Sequence, residues 1–206
     1  MEKFTTLNAV AAPILRENID TDIVIPISRM VGNSARGHLG NWGFSALRYQ
    51  PDGAENPAFI LNREPYRGAQ ILLTGVNFGC GSSREAAVWT LQEMGIRCVI
   101  GSSFGDIFFN NCFQNGLLPV VLDRETVESL AREVEASQGA GRISVDLAQM
   151  EVTSPSGKRY AFAVEPARRG ALLEGLDEIG MTLRRAPEIE AFQARDRDER
   201  PWVHQI

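Results

Sequence analysis

Cysteine and histidine are scarce in this chain, with three of the first and two of the second among 206 residues. Cys80, Cys98 and Cys112 are too few and too far apart for a zinc knuckle or an iron–sulfur ligand set, and two histidines cannot assemble a His-based metal centre. So little cysteine also predicts no disulfide framework and a reducing, cytoplasmic location. Cys98 and Cys112 fall in apolar segments and read as core. Cys80 lies inside a glycine turn and is the one placed to react. Long apolar runs are missing as well, and the amino terminus, Met1-Glu2-Lys3-Phe4, runs into polar residues, so neither a membrane span nor a signal peptide is expected. Positive charge is in deficit, 21 Lys and Arg against 26 Asp and Glu, and the net charge of -5 argues against nucleic acid or an anionic membrane as the main partner. There is no internal repeat and no low-complexity tract.

What the chain does have is core-forming material. At 44% hydrophobic it can bury a full core as one domain, or as one domain with an appendage. Residues 1–195 are expected to form that domain. Within it, residues 29–67 form a long loop region facing substrate or a partner, because Arg29 to Asn41 has no consistent period and Trp42 to Arg67 is interrupted by Pro51, Pro57 and Pro65. Its aromatics, Trp42, Phe44, Tyr49, Phe59 and Tyr66, read as anchors. The mixed-charge run from Arg195 to Arg200 predicts a frayed tail over 196–206.

The remaining periodicities alternate between strand and helix. Phe4 to Ile14 fits an opening strand and a turn, and Asn18-Ile19-Asp20-Thr21-Asp22-Ile23-Val24-Ile25-Pro26 an acidic, hydroxyl-bearing turn before a β-branched strand. Strands are expected at Ile71 to Val76, Arg97 to Ile100 and Pro119 to Leu122. Helices follow these strands: one from the glycine turn to Met94, one capped by Ser103 and stopped by Gly116, and one capped by Asp123. Ile143 to Leu147 alternates strictly, Met150 to Val164 reads as a hairpin, and helical segments are expected near Ala167 to Glu174 and Pro187 to Phe192. The implied class is α/β, a parallel or mixed sheet with helical cover.

Chemistry concentrates in Asn77-Phe78-Gly79-Cys80-Gly81-Ser82-Ser83-Arg84-Glu85, between an apolar strand and a helix. The two glycines permit positive φ and close approach of the backbone to a ligand. The serines fall near the first-turn amides, whose N–H groups and dipole favour anions, and Arg84 offers a fork suited to a carboxylate. A serine in this position also reads simply as an N-cap. The Gly-x-Gly is not a dinucleotide fingerprint, since Arg84 stands where the third glycine belongs, and no Gly-Lys-Ser/Thr follows as a phosphate loop requires. In Arg36-Gly37-His38-Leu39-Gly40 a cation sits beside flanking glycines, as in a segment that closes over a ligand. Asp22 is placed to hold an arginine, or else belongs only to an Asx-type turn.

These stretches, with Ser103-Phe104-Gly105-Asp106-Ile107-Phe108 and Asn115-Gly116-Leu117-Leu118-Pro119-Val120, resemble the small subunits of bacterial 3-isopropylmalate dehydratases, which correspond to the mobile swivel domain of aconitase. The resemblance implies a swivelling β/β/α domain and a hydro-lyase that interconverts 2- and 3-isopropylmalate in leucine biosynthesis by dehydration and rehydration. It implies Ser82 as the catalytic base, acting as an alkoxide. Ser83 and Arg84 stabilise that alkoxide and bind a substrate carboxylate, Arg36 is a second carboxylate-binding arginine, and Asp22 lies near it. It also implies a [4Fe-4S] cluster that this chain lacks the cysteines to hold. That cluster would then sit on a separate large subunit, with the active site at the interface. The chain departs from the family at Ala86, where histidine is frequent, and at Ser28, near where many relatives place lysine. Two alternatives stay open: a paralogous subunit for another hydroxy-diacid, of the methylmalate or citrate type, and a non-catalytic anion-binding module. If the site is split, the isolated chain will not hydrate an isopropylmaleate, and substantial turnover in that assay refutes the split.

Overall fold

The structure is a computed structural model and describes residues 1–30 and 37–204. In chain order, β1 (Thr6–Ala9) and β2 (Ala11–Ile14) lead to the single-turn helix α1 (Thr21–Val24) and an irregular excursion containing α2 (Ser45–Arg48). Then come β3 (Ile71–Thr74), α3 (Glu85–Glu93), β4 (Cys98–Gly101), α4 (Asp106–Asn115), β5 (Leu118–Val121) and α5 (Arg124–Ala136). The strands β6 (Ile143–Asp146), β7 (Glu151–Thr153) and β8 (Arg159–Ala161) precede α6 (Pro166–Glu174), α7 (Glu178–Leu183) and α8 (Ala186–Glu199).

Two four-stranded sheets organise these elements. The first is parallel, in the order β2-β3-β4-β5, and every residue of β3 and β4 is buried, as their unbroken apolar sequences require of a sheet covered on both faces. Among the covering helices, α5 returns across β2, β3 and β4, burying Val127, Leu130, Ala131 and Val134. Pro13 can sit in β2 because β2 is an edge strand, where a missing N–H costs no ladder bond on the open side. The second sheet is antiparallel, in the order β1-β6-β7-β8. Ile143 and Val145 of β6 are buried while Ser144 and Asp146 are half-exposed, the alternation of a sheet packed on one face. Among the described residues no helix is long and apolar enough to cross a membrane.

Several elements differ from the sequence reading, each for a local reason. The opening strand is two strands, which pass from one sheet to the other across Val10. The β-branched run Ile23-Val24-Ile25 does not make a strand. The Asp20 carboxylate accepts from the Ile23 N–H at 2.7 Å and turns the chain into α1 instead. Ser103 does not cap α4, whose N-cap is Gly105; its hydroxyl accepts from the Asn77 N–H at 2.9 Å. Asp177 caps the unforeseen α7 by accepting from the Gly180 N–H at 2.7 Å. The expected frayed tail is helical as far as Glu199, so α8 runs through position 195. Among the described residues between α1 and β3 only short helical turns occur, and Phe44, Phe59 and Tyr66 are buried.

Gly79 tests how tightly this frame is built. Its φ is +73°, and a Cβ there would stand 2.3 Å from the ring of the buried Phe108. Gly79→Ala is expected to cost about 2–5 kcal/mol, combining a left-handed backbone penalty with overpacking. Gly157→Ala, at φ +88° but with open space beyond it, should cost only about 1–2 kcal/mol. Urea denaturation of both variants checks the difference, and equal losses would mean that the contact with Phe108 yields freely.

Candidate active site

The parallel sheet places three loops side by side at the carboxyl ends of its strands: residues 18–22 after β2, 77–84 after β3 and 103–105 after β4. Backbone hydrogen bonds tie the middle loop to both neighbours. On one side Gly79 N–H donates to the Ile19 carbonyl at 2.7 Å and Thr21 N–H to the Cys80 carbonyl at 2.9 Å. On the other, Phe78 N–H donates to the Ser103 carbonyl at 3.2 Å and Gly105 N–H to the Phe78 carbonyl at 2.9 Å. A Cβ on Gly105 would meet the Gly79 carbonyl oxygen at 2.6 Å, so the two backbones pack as closely as glycine allows. The fourth motif joins from behind: Asn115 donates to the Glu85 carboxylate at 2.8 Å and accepts from the Trp89 indole at 2.9 Å, orienting the first turns of α3. The turn is thus held by the loops on both its sides, and the helix that follows it by Asn115.

On that turn Ser82 is exposed, and Arg84 is only 15% exposed with its guanidinium lying beside the serine. Arg84 Nη2 donates to Ser82 Oγ at 3.3 Å and to Asp22 Oδ2 at 3.0 Å, while Nη1 donates to Asp22 Oδ1. The pairing with Asp22 is bidentate and fixes the guanidinium plane. Of the five N–H groups a guanidinium carries, two go to Asp22 and one to Ser82, so two remain for a ligand among the described residues. The side-chain hydrogen bond from Arg84 holds the Asp22 carboxyl below its ordinary range, and Asp22 in turn raises Arg84. Because Arg84 can only donate, its contact with Ser82 Oγ favours the deprotonated oxygen over the hydroxyl. That is the electrostatic requirement of a serine acting as a base.

The serines stand differently from the sequence expectation. Helix α3 begins at Glu85 with Arg84 at the N-cap position, so Ser82 and Ser83 lie just outside it and neither caps it. Ser83 is exposed, with no hydrogen bond to its hydroxyl among the described residues. Arg36 lies outside the described residues, so its relation to Ser82 has no geometry here. The chain immediately after it is held: the Glu93 carboxylate, at the far end of α3, accepts from the N–H groups of Gly37 (2.5 Å) and Gly40 (2.9 Å). Ala86 is buried beneath the turn, so this departure from the family falls off the exposed face, whereas Ser28 is exposed.

Sequence reasoning passed over Thr21. This residue is 1% exposed, and its hydroxyl donates to the Ser82 carbonyl at 2.9 Å, fixing the backbone from which the serine projects. The available signal was a hydroxyl inside an acidic turn that already carried Asp22. Cys98 and Cys112 are fully buried and burial pushes both thiols up, as expected of core residues, while Cys80 is half-buried beneath the turn. Among the described residues no group of three His, Cys, Asp or Glu side chains converges to hold a metal ion, and two buried thiols plus one in the turn do not fit a cluster ligand set. A cavity of about 360 Å³ lies elsewhere, between α4, α6 and α7, and Ser82 does not line it. Ser82 itself is exposed.

Comparison with known proteins bears on this face. Residues 1–125 match the family model described as the aconitase C-terminal domain, and 128–166 match LeuD_N. Residues 178–205 match the C-terminal domain of the 3-isopropylmalate dehydratase small subunit. A 3-isopropylmalate dehydratase small subunit from Gluconacetobacter diazotrophicus is 50% identical over 206 residues, covering 100% of this chain and 99% of that protein. One from Cupriavidus necator is 52% identical, covering 99% of each. Among solved structures, 3-isopropylmalate dehydratase from Methanocaldococcus jannaschii DSM2661 superposes with a TM-score of 0.65 at 21% identity, covering 91% of this chain and 99% of that one, a likeness of fold.

The Asp22–Arg84 pair makes a prediction about pH. A carboxylate depressed in the folded state contributes stability that is fully present above its unfolded pKa of about 3.9 and is lost as pH falls through the lower folded value. A carbon-detected NMR titration should place the Asp22 midpoint below that of an ordinary aspartate, and Arg84→Met should return it to the ordinary range. An unmoved midpoint would show that Arg84 is not the cause.

Proposed function

The chain belongs to the 3-isopropylmalate dehydratase small-subunit family, and on that footing we propose that it is the small subunit of a hydro-lyase that interconverts 2- and 3-isopropylmalate by dehydration and rehydration, with Ser82 as the base. The observation that carries the reading is the contact of the exposed Ser82 Oγ with Arg84, itself clamped by Asp22. Ser82, as an alkoxide, takes the proton from the carbon next to a substrate carboxylate and returns it on rehydration. The Arg84 guanidinium stabilises the alkoxide, and its two uncommitted N–H groups face a carboxylate. Thr21 keeps the serine backbone from recoiling as the oxygen changes charge. Ser83 adds a hydroxyl on the same face, and Arg36, one residue before the anchored Gly37, supplies a second carboxylate contact.

Departure of the substrate hydroxyl calls for an electrophile, and the described residues of this chain do not compose one. The family resemblance assigns that part to a [4Fe-4S] cluster on a large subunit. The exposure of Ser82 fits this division, because an unshielded alkoxide in water would be protonated and solvated, and a second chain that closes over it supplies the dry surroundings that keep the charge effective.

Reconstitution with a large subunit tests the assignment. Ser82→Ala should form the complex at unchanged affinity and lose about 10²–10⁴-fold in turnover, the range for removal of a general base. A near-normal rate in an assembled complex would move the base to another residue.

A further inference from the structure

Helix α8 has 14 residues, of which Asp196 is the one buried, and Asp196 is engaged by Arg200 at the end of the same helix (2.6 Å). Its apolar residues Ile189 and Phe192, at i and i+3, are exposed, and the turn that follows adds Trp202 and Val203. On α7, Ile179 and Leu183 stand one turn apart at 71% and 66% exposure. Helices of this length are marginal in water on their own and are normally held by burying an apolar stripe. Here the stripe has no cover within the described chain. Large aromatic and aliphatic side chains ringed by charges such as Arg195, Asp198 and Glu199 have the composition of an interface centre with its polar rim.

We propose that α7, α8 and the turn after them form a docking surface for the large subunit, an inference that rests on the reading of this chain as a small subunit. Two observations select that occupant. The first is continuity with the site. Gly105, immediately before α4, is bonded to the Ser82 turn through the Phe78 carbonyl, and the exposed residues Ile107, Asn110 and Gln114 run down one face of α4. At the far end Gln114 donates to Glu178 of α7 at 2.9 Å. Ten helical residues span about 15 Å, within the width of an ordinary footprint of about 800 Å² per partner, so one partner can cover Ser82 and α7 together. The second is how the chain divides: the site-bearing residues match a domain model shared with aconitase, whereas 178–205 match a model described for the small subunit itself. The segment that goes with being a separate subunit carries the larger share of the exposed large apolar side chains.

The test uses the full chain and a purified large subunit. Two double variants, Ile179→Asp with Leu183→Asp and Phe192→Asp with Trp202→Asp, place charges where side chains already meet water, so melting temperatures should stay near wild type. Each should weaken the complex at least tenfold in a binding titration. Independently of any variant, hydrogen–deuterium exchange of the wild-type chain should show α7 and α8 amides exchanging fast alone and slowly in the complex. Affinities within twofold of wild type, or no added protection, overturn the docking surface while leaving the subunit reading intact. A wild-type chain that binds no large subunit overturns both. A self-dimer that the variants dissociate, with affinity for the large subunit unchanged, assigns the face to a second copy and overturns the proposal.

Discussion

The site depends on a seam of hydrogen bonds between residues 19–21 and 79–82. Two of these are backbone bonds, and the third runs from a buried threonine hydroxyl to the carbonyl of the serine that follows the glycine turn. A turn rich in glycine has the largest conformational entropy to lose on ordering, and an exposed one would fluctuate. Stitched to the loop after β2 on one side and the loop after β4 on the other, it behaves as part of the sheet's end. The same seam sets Asp22, one residue past Thr21, against Arg84, so the guanidinium is oriented by the loop that restrains the serine.

The sheet topology bears on how the Ser82 turn meets its surroundings. In doubly wound sheets a ligand crevice forms where the strand order reverses and neighbouring loops diverge. The order β2-β3-β4-β5 never reverses, so the described loops at the carboxyl ends stay side by side with no switch-point crevice between them. On the chemistry proposed for Ser82, water has to be excluded, and side-by-side loops achieve that against another surface. The proposed division of labour between two chains fits this arrangement.

Much of this was legible in the sequence. The strand, glycine turn and helix around Ser82, the caps at Asp123 and Gly116, and the hairpin before α6 follow from periodicity and turn chemistry. The misses have physical causes. Ile23-Val24-Ile25 has strand composition, but a single capping bond from Asp20 outweighed propensity over so short a run. Ser103 looked like a cap because hydroxyls before helices usually are, yet a partner from a distant loop claimed it. The role of Thr21 was invisible for the same reason: its acceptor lies 61 positions away. The charged end of α8 read as a tail because its helix buries almost nothing, and no internal packing pattern marks it.

The carboxylate beside Arg84 carries one more implication. A guanidinium neutralised by a neighbour has little long-range field, so it does not gather stray anions from solution as an unpaired arginine would. If Arg84 takes the ligand carboxylate proposed for it, discrimination there passes to reach and shape, because a guest must come close enough to use the N–H groups the aspartate leaves open. On that proposal phosphate or chloride would gain little, and the resident counter-ion would act as a filter for a visitor held in place by contacts made elsewhere along its length.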